Sequence, residues 1–216
     1  MKRRILLLAS TMLSIPLLFT ACASKDIGET KAREIGLAYV NQAFDVNEKE
    51  GTVSFFQQTE RIYQGGEMVE IGNQKKKSFY SVTVENDRGE TLYYVEIEAK
   101  TGEAFRIERN PRMLTMTTQQ RDQAESLGAF DVFSTTRFNQ EPKQAAEVAA
   151  KWVQERFEPE NEIGNVTTNN TYTDSKQFPQ VSLDSFVVMK SGKVYNVTVC
   201  WPTMEVVQVA ILNQAD

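Results

Sequence analysis

The sequence contains no histidine and only two cysteines among its 216 residues. Without histidine, Ser-His-Asp and Cys-His catalysis are excluded, and so is any zinc site with histidine ligands. Two cysteines cannot form a four-thiolate metal site or a disulfide framework. Hydrophobic residues make up 41% of the chain and charged residues 25%, which is the balance of an ordinary globular protein.

Other catalytic signatures are also missing. The sequence has no Ser-x-x-Lys motif and no glycine-rich phosphate-binding loop after a strand pattern. Glu96 and Glu98 lie on one side of a predicted strand and could act as an acid–base pair. Such a pair is more typical of a solvated strand face. We therefore expect no enzyme, no catalytic residue, no metal site and no cofactor.

The N-terminus has the three parts of a secretory signal. Met1–Arg4 is basic, Ile5–Phe19 is mostly apolar, and the small residues of 20–24 follow. The apolar part is short for a membrane-spanning helix, which needs about 20 residues. The pattern predicts that the chain is exported.

The end of this segment resembles a bacterial lipoprotein signal, with Leu18–Cys22 as the lipobox, although Phe19 stands where that family prefers leucine. The resemblance implies that residues 1–21 are removed as a lipoprotein signal peptide. Cys22 then carries the lipid and holds the protein on the outer side of a bacterial membrane. The alternative is ordinary cleavage before Ser24, after the Ala-x-Ala pattern that ends at Ala23.

Charge argues against nucleic acid as a partner. The whole chain has a net charge of −5. Removal of residues 1–21 takes away three basic residues and no acidic one, so 21 basic and 29 acidic residues remain, a net charge of −8. Nucleic-acid binding needs clustered lysine and arginine. The lipid, and not surface charge, would supply the membrane contact.

Two segments of the chain occur twice in the same order. Glu34–Phe44 aligns without gaps with Glu147–Phe157, and Tyr93–Ile107 aligns with Tyr195–Val209. The first pair has apolar residues at helical spacing, whereas the second alternates in the manner of strands. We expect an α+β protein of two tandem repeats, each a helix packed on an antiparallel β-sheet.

The repeats set the expected domain boundaries. The first repeat spans 22–130 and includes a short connecting helix over Thr117–Leu127, while the second, degenerate repeat spans 131–216. A further strand is predicted over Val53–Gln64. The polar segment Asn165–Lys176 is either a loop or a polar edge strand.

The order of helix and strands resembles the PepSY domain family, and Tyr93–Ile107 carries most of the match. The resemblance implies a helix on an antiparallel sheet. It also implies peptidase inhibition or, more broadly, protein binding at the cell envelope. Glu98 stands where the family often has aspartate. The second copy has Cys200 at that position, and Met204 replaces the turn glycine Gly102.

The leading hypothesis is a non-enzymatic, envelope-bound protein-binding module that acts on an envelope protein or restrains a peptidase. Its candidate interaction face comprises Tyr94, Glu96 and Glu98, which alternation directs away from the core. One alternative is an accessory subunit of a membrane complex. Another is a small-ligand receptor with an aromatic cleft between the repeats; its candidate residues are Phe55, Phe56, Tyr63, Tyr80 and Tyr94. Cys200 is expected to be a half-buried strand residue without a redox role.

Overall fold

The computed structural model describes residues 26–58, 61–64, 67–70, 76–126, 140–172 and 180–212, with backbone alone at 61–64, 67–70 and 170–172. The expected signal peptide 1–21, the lipidation site Cys22 and the boundary at residue 130 lie outside these residues. None of the described helices is long and apolar enough to cross a membrane.

The two predicted long helices are confirmed. Helix α1 spans Glu29–Phe44 and buries Ala32, Gly36, Val40 and Ala43. A shorter helix, α2, spans Thr118–Ser126, as its polar sequence indicated. Helix α3 spans Glu141–Arg156 and has Pro142 in its first turn, where the missing N–H costs no hydrogen bond.

Ten strands lie in the described part of the chain, six between α1 and α2 and four after α3. They are β1 (Thr52–Gln58), β2 (Arg61–Gln64), β3 (Glu67–Glu70), β4 (Lys77–Glu85), β5 (Thr91–Glu98), β6 (Ala104–Arg109), β7 (Ile163–Tyr172), β8 (Val181–Met189), β9 (Val194–Trp201) and β10 (Glu205–Leu212). Eight of them form one sheet in the spatial order β1-β4-β5-β6-β10-β9-β8-β7, with antiparallel pairing throughout. Strands β2 and β3 pair with each other as a hairpin.

The fold is therefore α+β, and its two halves share one sheet. A long helix followed by a four-stranded antiparallel run occurs first as α1-β1-β4-β5-β6 and then as α3-β7-β8-β9-β10. The sequence predicted a sheet for each repeat, but β6 pairs with β10 and joins the two runs. This pairing satisfies backbone groups that would otherwise be exposed along two strand edges.

Helices α1 and α3 pack on the same face of this sheet. The buried residues Val82, Val95 and Ile107 are in register on adjacent strands of this face. Gly36 brings α1 so close to β4 that a Cβ at this position would lie 2.6 Å from Cγ2 of Val82. This face contains the main hydrophobic core.

The helices also contact each other through aromatic rings. The ring centroid of Tyr39 lies 5.4 Å from that of Phe157, and the centroid of Phe44 lies 6.3 Å from that of Trp152. Tyr39 aligns with Trp152 and Phe44 with Phe157, so each contact is the counterpart of the other. The core therefore continues across the junction of the two halves.

The structure refines two strand predictions. The segment predicted as one strand over Val53–Gln64 contains two strands, β1 and β2, which belong to different sheets. Of the two interpretations of Asn165–Lys176, the edge strand is correct for residues 165–172, because β7 is the last strand of the sheet. Residues 173–176 lie outside the described ranges.

Candidate functional site

The three predicted face residues lie side by side on β5. Tyr94, Glu96 and Glu98 are half-buried and alternate with Tyr93, Val95 and Ile97, which are buried against the helices. This alternation confirms that the three side chains point away from α1.

Tyr94 and Glu96 form a hydrogen-bonded pair. The Tyr94 hydroxyl donates to Oε1 of Glu96 over 2.9 Å. Partial burial and this hydrogen bond raise the pKa of Tyr94 to about 12. The phenol therefore remains protonated at neutral pH and acts as a donor to Glu96.

Glu98 belongs to the turn that follows β5. Its Oε2 accepts a hydrogen bond of 2.5 Å from Oγ1 of Thr101, and the same Oγ1 accepts the backbone N–H of Glu103 over 3.1 Å. Gly102 completes the turn with a φ of 75°, a conformation that glycine adopts without steric cost. Glu98 is thus held at the end of the face by the turn that the sequence predicted.

An ion pair on the next strand extends this polar surface. Arg106 pairs with Glu96 in the β5–β6 register, and Glu108 pairs with Tyr94. Nε of Arg106 donates to Oε1 of Glu108 over 2.7 Å. Among the described residues of β5 and β6 on this surface, one guanidinium, that of Arg106, accompanies the carboxylates of Glu96, Glu98 and Glu108, so the surface has an excess of negative charge.

Two rows of side chains continue across the whole sheet, and together they define the open face, which points away from α1 and α3. The first row is Thr52, Thr83, Tyr94, Glu108, Gln208, Thr198, Asp184 and Asn169. The second row is Ser54, Ser81, Glu96, Arg106, Ala210, Asn196, Phe186 and Thr167. Every residue of the first row is polar. The sequence missed these rows because they join positions from strands far apart in the chain.

The second half of the open face has its own hydrogen-bonded pair. Oγ1 of Thr198 donates to Oδ1 of Asp184 over 2.6 Å. The side-chain oxygen of the neighbouring Asn196 is buried and has no hydrogen-bond partner in the described part of the chain. Thr198 is itself buried, with 8% exposure, so this second pair is less accessible than the half-buried pair of Tyr94 and Glu96.

The described members of the aromatic cleft expected for a small-ligand receptor do not come together on one face. Phe55 pairs with Tyr80 on the helix-bearing face, whereas Phe56 pairs with Phe79 on the opposite face. Tyr80 is a core residue with 6% exposure, so its assignment to a cleft is wrong. Tyr94 lies on the open face, and the side chain of Tyr63 is outside the described set.

A buried carboxylate that the sequence analysis missed lies at the end of α3. Glu158 is 8% exposed and accepts hydrogen bonds from the Tyr195 hydroxyl and the Asn161 amide. Nζ of Lys193 lies 3.2 Å from Oε1 of Glu158 and 5.0 Å above the Tyr195 ring. Burial tends to raise the pKa of Glu158, but the three donors outweigh it and the pKa is lowered. This cluster fixes the end of α3 on β9.

Cys200 is more buried than expected. It is 2% exposed and forms a small apolar cluster with Leu114 and Val207. Burial and the nearby Glu205 carboxylate raise the pKa of the Cys200 thiol to about 12. The thiol is therefore protonated and covered at neutral pH.

Comparison with known proteins yields one structural similarity. No family model and no curated protein matches the chain. Among solved structures, the chain is similar to the C-terminal domain of YpeB from Bacillus megaterium, with a TM-score of 0.43 and 10% sequence identity. The alignment covers 89% of this chain and 69% of the YpeB domain.

Proposed function

We propose that this protein is a non-enzymatic protein-binding module of the bacterial cell envelope, and that its open face is the binding surface. Tyr94, Glu96 and Glu98 form the centre of the contact in the first half. The partner is an envelope protein, and the specific form of the activity is inhibition or regulation of a peptidase.

The observation that carries this proposal is the largely polar open face, on which the Phe56–Phe79 pair lies beside Glu98. Helices α1 and α3 both pack on the face opposite the open face, and that helix-bearing face forms the hydrophobic core. The open face combines hydroxyl, amide and carboxylate groups in rows that cross eight strands. A surface of this breadth suits another protein better than a small ligand, since specific protein interfaces bury about 800 Å² on each partner.

Charge favours a partner with a basic contact surface. Around β5, the carboxylates of Glu96, Glu98 and Glu108 outnumber the single guanidinium of Arg106. Complementary charge steers association and rejects partners of like charge.

The PepSY-like assignment has two supports. One is the sequence match over Tyr93–Ile107, and the other is the succession of a helix and an antiparallel run in each half. We also propose that the two halves of the sheet, each with its long helix, are diverged repeats.

Attachment through Cys22 is part of the same proposal. Its support is the lipobox-like segment Leu18–Cys22. Metabolic labelling with a fatty-acid analogue tests it: the wild-type protein should incorporate label and sediment with membranes. Cys22→Ser should do neither, and a labelled Cys22→Ser protein would contradict lipidation at this residue.

The binding surface is tested by crosslinking in intact cells, followed by capture through a C-terminal tag and mass spectrometry. We expect the wild-type protein to capture an envelope protein, and the Glu96→Gln/Glu98→Gln variant to lose it. The matched control is Glu34→Gln on the exposed side of α1.

The identity of the captured protein decides the form of the activity. A peptidase that is inhibited by the purified protein supports the inhibitor form. A transporter or wall-building complex without a peptidase contradicts inhibition and makes the protein an accessory subunit. Equal capture by wild type and the double glutamine variant contradicts the open face as the surface.

A further inference from the structure

The β5–β6 turn and the β9–β10 turn occupy corresponding places in the two halves, but the space beside each turn is filled differently. In the first half, the β5–β6 turn has Gly102 at a φ of 75°, and its N–H bonds to the carbonyl of Glu98 over 2.9 Å. In the second half, the β9–β10 turn has Met204 at a φ of 56°, and its N–H bonds to the carbonyl of Cys200 over 2.7 Å. The two turns therefore share a positive-φ residue and the hydrogen bond that closes the turn, whereas the cis Trp201–Pro202 peptide bond occurs only in the second.

In the first half, the space beside this turn is closed by Ile27, which lies two residues before α1. The N–H of Ile27 donates to the carbonyl of Ala99 over 2.8 Å. The side chains of Ile27 and Ile35 lie against Gly102, within 3.1 to 3.7 Å of the place where its Cβ would be. Apolar side chains from the chain itself occupy this position.

In the second half, the described residues around the corresponding turn enclose a cavity instead. If the offset between Glu34–Phe44 and Glu147–Phe157 is extended toward the N-terminus, Gln140 takes the position of Ile27. The N–H of Gln140 donates to the Glu141 side chain over 3.1 Å. A cavity of about 440 Å³ opens here between α2, the start of α3 and the β9–β10 turn. This volume is toward the lower end of the range of about 300–1,000 Å³ found for small-ligand sites.

The lining combines amide groups with an apolar base. Gln123 comes from α2, and Gln140 and Gln144 come from the start of α3. Trp201, Pro202 and Met204 contribute the apolar part. A primary amide offers both donors and an acceptor, which is the combination that pairs with the N–H and C=O of a peptide bond.

We infer that this cavity binds a short, neutral peptide segment. Its peptide amides would pair with the side chains of Gln123 and Gln144, while a small apolar side chain would lie against Pro202 and Met204. Glu141 disfavours an anionic group at the rim. The site is separate from the open face and stands independently of the function proposed for that face.

Intrinsic fluorescence offers a local test, because the chain has only two tryptophans and Trp201 lines the cavity. In the full chain with Trp152→Phe, Trp201 is the single reporter. We expect titration with the blocked dipeptide N-acetyl-alanyl-alanine amide to change the Trp201 emission saturably. Adding Gln123→Ala/Gln144→Ala should weaken binding about tenfold or more, because two pairs of hydrogen bonds are lost.

The matched control is Gln119→Ala, which removes an exposed glutamine from the same short helix. It should bind the dipeptide like the Trp152→Phe parent. The inference is overturned by the absence of a saturable response, by equal affinity in the Gln123→Ala/Gln144→Ala protein, or by a response to an N-acetylglucosamine disaccharide alone. Circular dichroism of each variant verifies that the fold is retained.

Discussion

Ile107 of β6 pairs with Val209 of β10, and these two residues are also counterparts in the aligned segments Tyr93–Ile107 and Tyr195–Val209. The flanking pairs are exchanged about this centre: Arg106 pairs with Ala210, the counterpart of Glu108 at the same offset, and Glu108 pairs with Gln208, the counterpart of Arg106. Equivalent positions of β6 and β10 therefore form the pairing between the two halves, centred on Ile107 and Val209.

The aromatic contacts between the helices predict where stability is concentrated. The Phe157 ring lies 5.1 Å from Trp152, 5.4 Å from Tyr39 and 6.1 Å from Tyr195, measured between centroids. We expect Phe157→Ala to lower the free energy of unfolding by about 3 kcal/mol in urea titrations. Phe55→Ala is the control, because Phe55 is 46% exposed; its cost should stay below about 1 kcal/mol. Equal losses would contradict the junction as part of the core.

The close approach of α1 to β4 makes Gly36 sensitive to a single methyl group. A Cβ there would lie 2.6 Å from Cγ2 and 2.7 Å from Cβ of Val82, so Gly36→Ala should cost about 1–3 kcal/mol through overpacking. Val82→Ala removes the obstructing methyl groups. In a double-mutant cycle, the combined variant should therefore lose less stability than the sum of the single variants. Additive losses would show that the helix does not approach the strand in this way.

The Glu158 cluster predicts a pH-dependent part of the stability. Burial opposes ionisation, but the bonds from Tyr195, Asn161 and Lys193 dominate and lower the pKa of Glu158 from its ordinary value of 4.5. The carboxylate therefore stabilises the fold fully above pH 4.5, and this contribution is lost as the pH falls through the lowered folded-state pKa.

The corresponding experiment compares free energies of unfolding between pH 3 and pH 7. We expect Glu158→Gln to cost about 2 kcal/mol at pH 7, with a smaller difference from wild type at pH 3. Glu160→Gln, at an exposed position two residues away, is the control and should match wild type throughout. A difference for Glu158→Gln that is constant with pH would exclude a stabilising carboxylate.

How much of this was predictable from sequence depends on how far apart the interacting residues lie. Alternation within β5 located Tyr94, Glu96 and Glu98 because it is a local pattern. The partner of Glu158, Tyr195, lies 37 residues further along the chain, and no local pattern connects them. The same holds for Ile107 and Val209, which pair only once β6 and β10 meet.

The wrong assignment of Tyr80 could have been avoided from the local sequence pattern of β4. Tyr80 was assigned to a ligand cleft, yet it alternates in phase with Val82 and Val84, which are both buried on β4. Its phase on the strand therefore indicated a core position.

Cys200 should be an unreactive thiol in the native protein. Burial raises its pKa to about 12, so very little thiolate exists at pH 8. In the Cys22→Ser variant, where Cys200 is the single cysteine, we expect slow reaction with a disulfide reagent and rapid reaction in urea. Leu114→Ala removes an apolar neighbour of Cys200 and should accelerate the native reaction. Fast reaction of the native Cys22→Ser protein would contradict the burial.

The most direct test of the open face as a protein-binding surface is site-specific photo-crosslinking in cells. A photoreactive phenylalanine analogue replaces Tyr94 on the open face or, as a control, Lys151 on the solvent side of α3. We expect a discrete crosslinked species from position 94 and none from position 151. Crosslinks from position 151 alone, or from neither position while the tagged wild-type protein still captures its partner, would contradict binding through the open face.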